Sequence, residues 1–281
     1  MGYIEMFIVA LIFSFGGTLI KLSKLAVSTE IITWFRFSIG LVILYIYMKA
    51  RKMKIRWHMF LPMIWVGAFG KSLHYLAENY GVARGFSYGN ILVGPVQTVV
   101  IVLVAVFWSH EKISRQNLLS IIMCMAGVFL ISWNGTPLEA YMGENAWLLL
   151  VFVIAGIGSA IFTLVQKKLL PLMPPAEANL SMFLIATVIT LIPIPISGSV
   201  TGVVPWLSVL GLVMLGAITG ISFLLIADAM RTVPLYAISL IQSSSVIFSL
   251  IWAVLFFHEV ITVYIILGTL LFTGGMLVMK R

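Results

Sequence analysis

Lys71, His74 and Glu78 stand at i, i+3 and i+7 of an otherwise apolar run, with Tyr75 and Asn79 beside them. In a helix that spacing puts the three ionisable groups on one face. An ammonium, an imidazole and a carboxylate so placed can bind a charged solute, pair with neighbours, or pass a proton, since histidine titrates near neutral pH. A second cation, Arg36, lies in another apolar run, Trp34-Phe35-Arg36-Phe37. Asn90, Gly94, Pro95 and Gln97 interrupt a third run, and Gln242 with Ser243, Ser244 and Ser245 a fourth. Catalysis is a poor fit, because no nucleophile, base and orienting group converge in the pattern.

The elements that position these groups follow from composition. Of 281 residues, 62% are hydrophobic and only 9% charged, and the mean hydropathy is +1.14. A soluble surface of this size needs several times more charge. Ten apolar stretches fill the chain, at about 3–21, 31–48, 59–80, 87–108, 116–133, 145–165, 179–195, 205–226, 236–256 and 262–279. A helix needs about 20 apolar residues to cross the hydrocarbon core. Only helices and closed barrels satisfy the backbone there, and barrel strands show short alternating runs. These runs are long and continuous, so the expected fold class is an all-α integral membrane protein. The first stretch has neither a basic n-region nor a small-x-small cleavage site and is expected to be retained.

The net charge of +8 is explained by orientation rather than by nucleic acid. With the N-terminus inside, Lys49, Arg51, Lys52, Lys54, Arg56, Lys112, Arg115, Lys167, Lys168, Arg231, Lys280 and Arg281 fall on the cytoplasmic side. Only Lys21, Lys24 and Arg84 fall on the other. The positive-inside rule therefore places both termini in the cytoplasm. The single cysteine, Cys124, excludes an intramolecular disulfide and a cysteine metal cluster.

The chain also repeats itself. Shifted by 148 residues, Val106-Phe107-Trp108-Ser109-His110-Glu111 lies over Val254-Leu255-Phe256-Phe257-His258-Glu259, and Tyr88, Leu92, Ala105 and Gly127 lie over Tyr236, Leu240, Ala253 and Gly275. The match runs without gaps through two stretches and their loop. Five stretches precede the repeat and five follow, so the second copy enters the membrane from the opposite side. Residues 1–135 form the first five-helix unit, 136–144 an outer linker and 145–281 the second unit. Inverted repeats of this kind are common in transporters, where one repeat rocks against the other.

On these residues the sequence resembles the drug/metabolite transporter superfamily, in its ten-helix branch of two EamA repeats. The resemblance rests on the five-plus-five layout, on Gly94-Pro95-Val96 leading to Ala105-Val106-Phe107-Trp108-Ser109-His110-Glu111, and on the echo Ala253-Val254-Leu255-Phe256-Phe257-His258-Glu259. Arg36 resembles the arginine often found early in the second helix of the first repeat. Where the family usually carries a proline in the ninth helix, this chain has Ser243. The resemblance implies a central cavity between the halves, lined by spans 1, 3, 4, 6, 8 and 9. It also implies export of metabolites, amino acids or related amphipathic solutes.

Buried charges in membranes pair or face a cavity. Arg36 and Glu78 are therefore expected to form a structural ion pair between spans 2 and 3. Lys71 lies near mid-depth without a carboxylate at its own level, so it needs a cavity, water or an anionic ligand. His74 fits either a bridge between helices or a proton carrier. Gly94-Pro95 is expected to break span 4 and free carbonyls toward a cavity, or to serve as a packing kink. The candidate substrate-contacting set is thus Lys71, His74, Tyr75, Glu78, Asn90, Pro95, Gln97, Gln242 and Ser243. Mid-depth aromatics such as Trp65, Phe69, Tyr75 and Trp252 are expected to line an apolar path. Gly16-Gly17 and Gly156-x-Gly158 allow close helix approach or leave room for a ligand.

Two motifs mislead. Gly70-Lys71-Ser72 looks like the end of a Walker A loop, but Trp65 stands where its first glycine belongs. Gly85-x-Ser87-x-Gly89 fits a nucleophile elbow, but it joins two helices, and Asp228 and His258 fall on opposite sides of the bilayer. Four histidines without HExxH or HxxxH spacing give no metal site. The expected protein is a non-enzymatic secondary transporter of an inner bacterial membrane, with a small-molecule substrate and the lipid bilayer as partners and with no cofactor or nucleic acid; its energy coupling is left open between a proton carried by Glu78 or His74 and facilitated diffusion. A non-transporting receptor or assembly partner is the alternative, and it predicts no continuous polar cavity between the halves.

Overall fold

A computed structural model of the chain describes residues 2–85, 93–109, 114–133, 135, 146–202, 204–229, 232–233, 245–258 and 260–278. Helical segments overlap every apolar stretch of the sequence. They are α1 (Gly2–Ser14), α2 (Gly16–Lys24), α3 (Thr29–Ala50), α4 (Pro62–Arg84), α5 (Val93–Ser109), α6 (Arg115–Trp133), α7 (Ala146–Leu169), α8 (Pro175–Leu191), α9 (Ile194–Ser197), α10 (Trp206–Ala229), α11 (Ser245–Phe257) and α12 (Val263–Val278). Among the described residues the only β pairing is an isolated antiparallel bridge between Val27 and Val200. Five segments are long and apolar enough to cross a membrane: Gly2–Lys24, Thr29–Ala50, Trp147–Leu169, Pro175–Ser197 and Trp206–Ile226. The protein is an integral membrane protein. At 23 residues α4 is just as long, but it carries Lys71, His74, Glu78 and Asn79 and its hydropathy falls accordingly.

Helix ends follow local chemistry. Pro62 opens α4 and Pro175 opens α8, positions where the missing N–H is unpaired in any case. The start at Pro175 extends this helix upstream of the stretch expected from hydropathy. The added turn is polar because Glu177 and Asn179 have partners there: Glu177 Oε2 lies 2.9 Å from His58 Nε2, and Gln166 donates to Asn179 Oδ1 at 2.6 Å. The first span is interrupted at Phe15, between α1 and α2. Trp252 of α11 covers that break, stacking on Phe15 at 4.6 Å and donating from its indole to Ser14 Oγ at 2.8 Å. Ser28 precedes α3 but makes no side-chain cap; its oxygen instead accepts from the backbone N–H of Ser199 at 3.1 Å.

The ends of the helices show which run together. The turn after α2 meets the segment between α9 and α10: Ser28 N–H donates to Ser199 O at 2.9 Å and Thr201 N–H to Ala26 O at 2.8 Å. The C-terminal end of α4 faces the start of α7, with Leu148 3.4 Å from where a Cβ on Gly85 would stand. At the other end, His58 ahead of α4 reaches Glu177 in the first turn of α8.

Among the described residues, packing runs between the halves more than within them. α4 packs most extensively on α7, α10 on α3 and on both α1 and α2, and α8 on α3 and α4. These contacts rely on small residues. A Cβ on Gly158 would lie 2.5 Å from Gly70 O and 2.7 Å from His74 N, and one on Gly156 would lie 2.5 Å from Val96 Cβ. Close approach is therefore what the Gly156-x-Gly158 pair provides.

α6 and α12 form an antiparallel pair that joins the other helices through α5 and through Ile131 and Ile265 of a shared apolar cluster. Ser120 Oγ donates to Gly275 O at 2.5 Å, and Cys124 Sγ lies 3.7 Å from Phe272 O. Cβ atoms on Gly127 and Gly268 would lie 2.6 and 2.7 Å from each other's carbonyl oxygens. With an offset of 148 between repeats, Cys124 faces its own counterpart Phe272, while Ser120 meets the counterpart of Gly127 and Gly127 that of Ser120. This reciprocal pairing is that of a two-fold contact.

Candidate functional site

The polar face of α4 turns inward. Lys71, Ser72, His74, Tyr75, Glu78 and Asn79 are buried, whereas Trp65 and Phe69 on the opposite face are 49% and 56% exposed. The expectation that these two aromatics line an internal path is corrected by helix geometry: at 100° per residue they project away from Lys71 and Glu78.

Arg36 of α3 reaches this face. Its Nη1 donates to Glu78 Oε2 at 3.0 Å and to Asn79 Oδ1 at 3.1 Å, while Nε donates to Thr219 Oγ1 of α10 at 2.8 Å. The guanidinium lies 3.6 Å from the centre of the Tyr75 ring. Asn79 in turn donates to Thr33 Oγ1 at 2.7 Å. Planar donors in a fixed fork suit this division of labour, and lysine would not reproduce it. The guanidinium ties α3, α4 and α10 together, two helices of the first half and one of the second.

Lys71 has a different environment. Its Nζ stands 4.4 Å from the ring centre of Tyr75, 4.6 Å from that of Phe162 on α7 and 4.1 Å from that of Phe223 on α10. Ring faces attract an ammonium, more strongly when water is excluded. These rings belong to a larger aromatic cluster: Phe223 packs edge-on against Phe162 and Phe183, with centroids at 5.4 and 5.6 Å, and Phe37 contacts Tyr75 and Phe183, each at 5.4 Å. The ammonium is thus enclosed by aromatic faces from both halves and is only 4% exposed.

His74 stands on α4 between Lys71 and Glu78. Its Nε2 is 3.6 Å from Glu78 Oε2, too long for a hydrogen bond. Its buried Nδ1 has no hydrogen-bond partner. His74 therefore forms no side-chain bridge to another helix among the described residues.

The remaining candidates separate from this cluster. Gln97 of α5 donates to Thr163 Oγ1 and accepts from Ser159 Oγ on α7, both at 2.9 Å. Pro95 lies within α5, two residues after the first described residue, Val93, and the residues ahead of it, 86–92, lie outside the described residues. Asn90, Gln242 and Ser243 lie outside the described residues, as does the linker 136–144.

Thr219, Phe162 and Phe223 complete the cluster and carry no sequence signal, since threonine and phenylalanine are ordinary in apolar helices. Gln166 and Asn179, by contrast, stand at the edges of apolar runs, where an amide was a readable signal. Apart from this cluster, a cavity of about 370 Å³ opens at the far ends of α3 and α10, where Tyr47 donates to Asp228 Oδ2 at 3.3 Å beside Glu5 and Arg51. Among the described residues no three His, Cys, Asp or Glu side chains converge on a point that holds a metal.

A buried guanidinium–carboxylate pair, a caged ammonium and an unpartnered imidazole nitrogen make a polar centre in an apolar protein. Such centres in membranes mark pathways for ions or solutes. Comparison with known proteins agrees. No curated protein matches the sequence. A solved crystal structure, 17% identical, aligns with 99% of this chain and 97% of its own length at a TM-score of 0.74, which establishes a shared fold. The sequence matches the EamA-like transporter family twice, over residues 1–133 and 146–281. With nearly its whole length so matched, the chain belongs to the EamA-like transporter family, within the drug/metabolite transporter superfamily.

Proposed function

We propose that the protein is a secondary transporter that moves small organic solutes across the membrane by alternating access. On this reading the helical segments form ten spans in two five-helix units of opposite orientation. The reciprocal antiparallel pairing of α6 with α12 supports that arrangement, because these are the last spans of the two units and run in opposite directions. The excess of lysine and arginine on the loops next to α3, α4 and α7 supports cytoplasmic termini.

One observation carries the reading. Arg36, Lys71 and Glu78 of the first half meet Thr219, Phe162 and Phe223 of the second within a single buried cluster. A motion that separates the halves exposes this cluster; a motion that brings them together seals it. The substrate contacts are Lys71, His74 and Tyr75, with Glu78 held by Arg36 as the pair that aligns α3 with α4. Gln97 braces α5 against α7. Export is the proposed direction, and His74 beside Glu78 is the proposed relay for a coupled proton.

The test is exchange in proteoliposomes. Purified protein is reconstituted with a labelled panel of amino acids, organic acids and amines, and counterflow is measured against protein-free vesicles. Saturable exchange of a subset of the panel is expected. Absence of exchange for every compound by protein that remains folded defeats the proposal.

A further inference from the structure

Counting charge inside the cluster gives an unbalanced result. Arg36 carries a fixed positive charge and Lys71 a second one when protonated, and Glu78 is the only carboxylate of the cluster among the described residues. That carboxylate is already engaged by Arg36 at 3.0 Å. The other described carboxylates lie toward helix ends: Glu5, Glu30 and Glu177 in first turns, and Asp228 at the end of α10 bonded to Tyr47. A buried charge without a counter-charge is costly.

The ammonium of Lys71 offers three N–H donors, and its neighbours are ring faces at 4.1 to 4.6 Å. Aromatic faces stabilise the charge but are weak hydrogen-bond acceptors. One turn along the same face, His74 Nδ1 is buried with no partner. Two polar groups of one helix face are therefore incompletely satisfied, and they lie beside five aromatic rings: Tyr75, Phe162, Phe223, Phe37 and Phe183.

We propose that this cluster is an organic-anion site, taking a small carboxylate with an aromatic or flat apolar body and no ammonium of its own. The carboxylate accepts charge-assisted hydrogen bonds from Lys71 and balances the excess positive charge, while the body packs among the rings once they part. A zwitterion is disfavoured, because its ammonium has no free carboxylate to meet and stands near Arg36 and Lys71. A cation is disfavoured further. The inference rests on the reading of this cluster as the transport site, and it adds the substrate's charge class.

Three probes share a phenyl body and differ in charge: 3-phenylpropionate, phenylalanine and phenethylamine. Ligand-induced thermal stabilisation of the purified protein reads binding without requiring transport, and proteoliposome counterflow reads transport. The expected result is binding in the order anion, then zwitterion, then cation. In Lys71→Met the anion affinity falls about tenfold or more, and in Lys71→Arg, which keeps the charge and the packed stem, it is largely retained. Equal or stronger binding of phenylalanine or phenethylamine, no stabilisation by any of the three, or an anion affinity unchanged in Lys71→Met overturns the proposal. Lys71-dependent anion binding without counterflow of any solute leaves the anion site standing and defeats the transport reading. Counterflow of phenylalanine or phenethylamine in preference to the anion does the reverse.

Discussion

Arg36 Nε and Thr219 Oγ1, 183 residues apart in the chain, are joined by a 2.8 Å hydrogen bond that links the two halves at the buried cluster. The threonine is oriented for it, because its own hydroxyl donates to Leu215 O at 2.7 Å and leaves a lone pair for the guanidinium. Thr219→Val keeps the shape and removes the acceptor. It strands a buried charged donor and is expected to lower stability by about 1–3 kcal/mol. Thr219→Ser is expected to stay close to wild type. Thermal unfolding in detergent compares the two, and equal loss in both variants contradicts the assignment.

The Arg36–Glu78 pair predicts non-additivity. Arg36→Met leaves a buried carboxylate without its main partner, and Glu78→Leu leaves a buried guanidinium. Each is expected to cost about 3–5 kcal/mol, and the double variant, free of both charges, is expected to cost less than either alone. The same unfolding measurement completes the cycle. A double variant as unstable as the sum of the singles shows that the two residues act separately.

Where α4 crosses α7, backbone meets backbone. Ala at Gly158 places a Cβ 2.5 Å from Gly70 O and 2.7 Å from His74 N, and neither atom can rotate away. Gly158→Ala is expected to destabilise by about 1–3 kcal/mol by forcing the helices apart. The control is Gly202→Ala, where nothing lies within 4 Å of the new Cβ and the change is expected to stay within about 0.5 kcal/mol. Indistinguishable melting curves for the two variants count against the tight crossing.

Orientation is open to cysteine labelling. The natural chain has one cysteine, Cys124, which is 1% exposed, so the wild type serves as an unlabelled background. Gly202→Cys, beside the start of α10, is expected to react with an impermeant maleimide in intact cells. Lys54→Cys, on the loop before α4, is expected to react only after permeabilisation. The opposite pattern reverses the proposed sidedness, and reaction of both in intact cells removes the two-sided arrangement.

Much of the framework was legible before any coordinates, because membrane-spanning helices are encoded by local composition. The stretches at 31–48 and 116–133 nearly coincide with α3 and α6. The irregular turn at Phe15 was not legible, and neither was its contact with Trp252 of a distant helix. Within the cluster, the inward face of α4 followed from the spacing of Lys71, His74 and Glu78. The cage around Lys71 did not. Phe162 and Phe223 are unremarkable residues in apolar runs, and only the packing of α7 and α10 against α4 gives them a role. Trp65 and Phe69 show the matching error: mid-depth position alone does not say which way a side chain points.

The glycine-lined crossing of α6 with α12 bears on how such a molecule can move. Glycines and carbonyls meet there so closely that a Cβ on Gly127, Gly268 or Gly275 would clash with the facing helix, so the seam tolerates little sliding. It lies to one side of the charged cluster and on the local two-fold. Any relative motion of the halves that the proposed transport requires has to keep this seam intact or break a glycine-to-carbonyl fit that nothing else in the pair replaces.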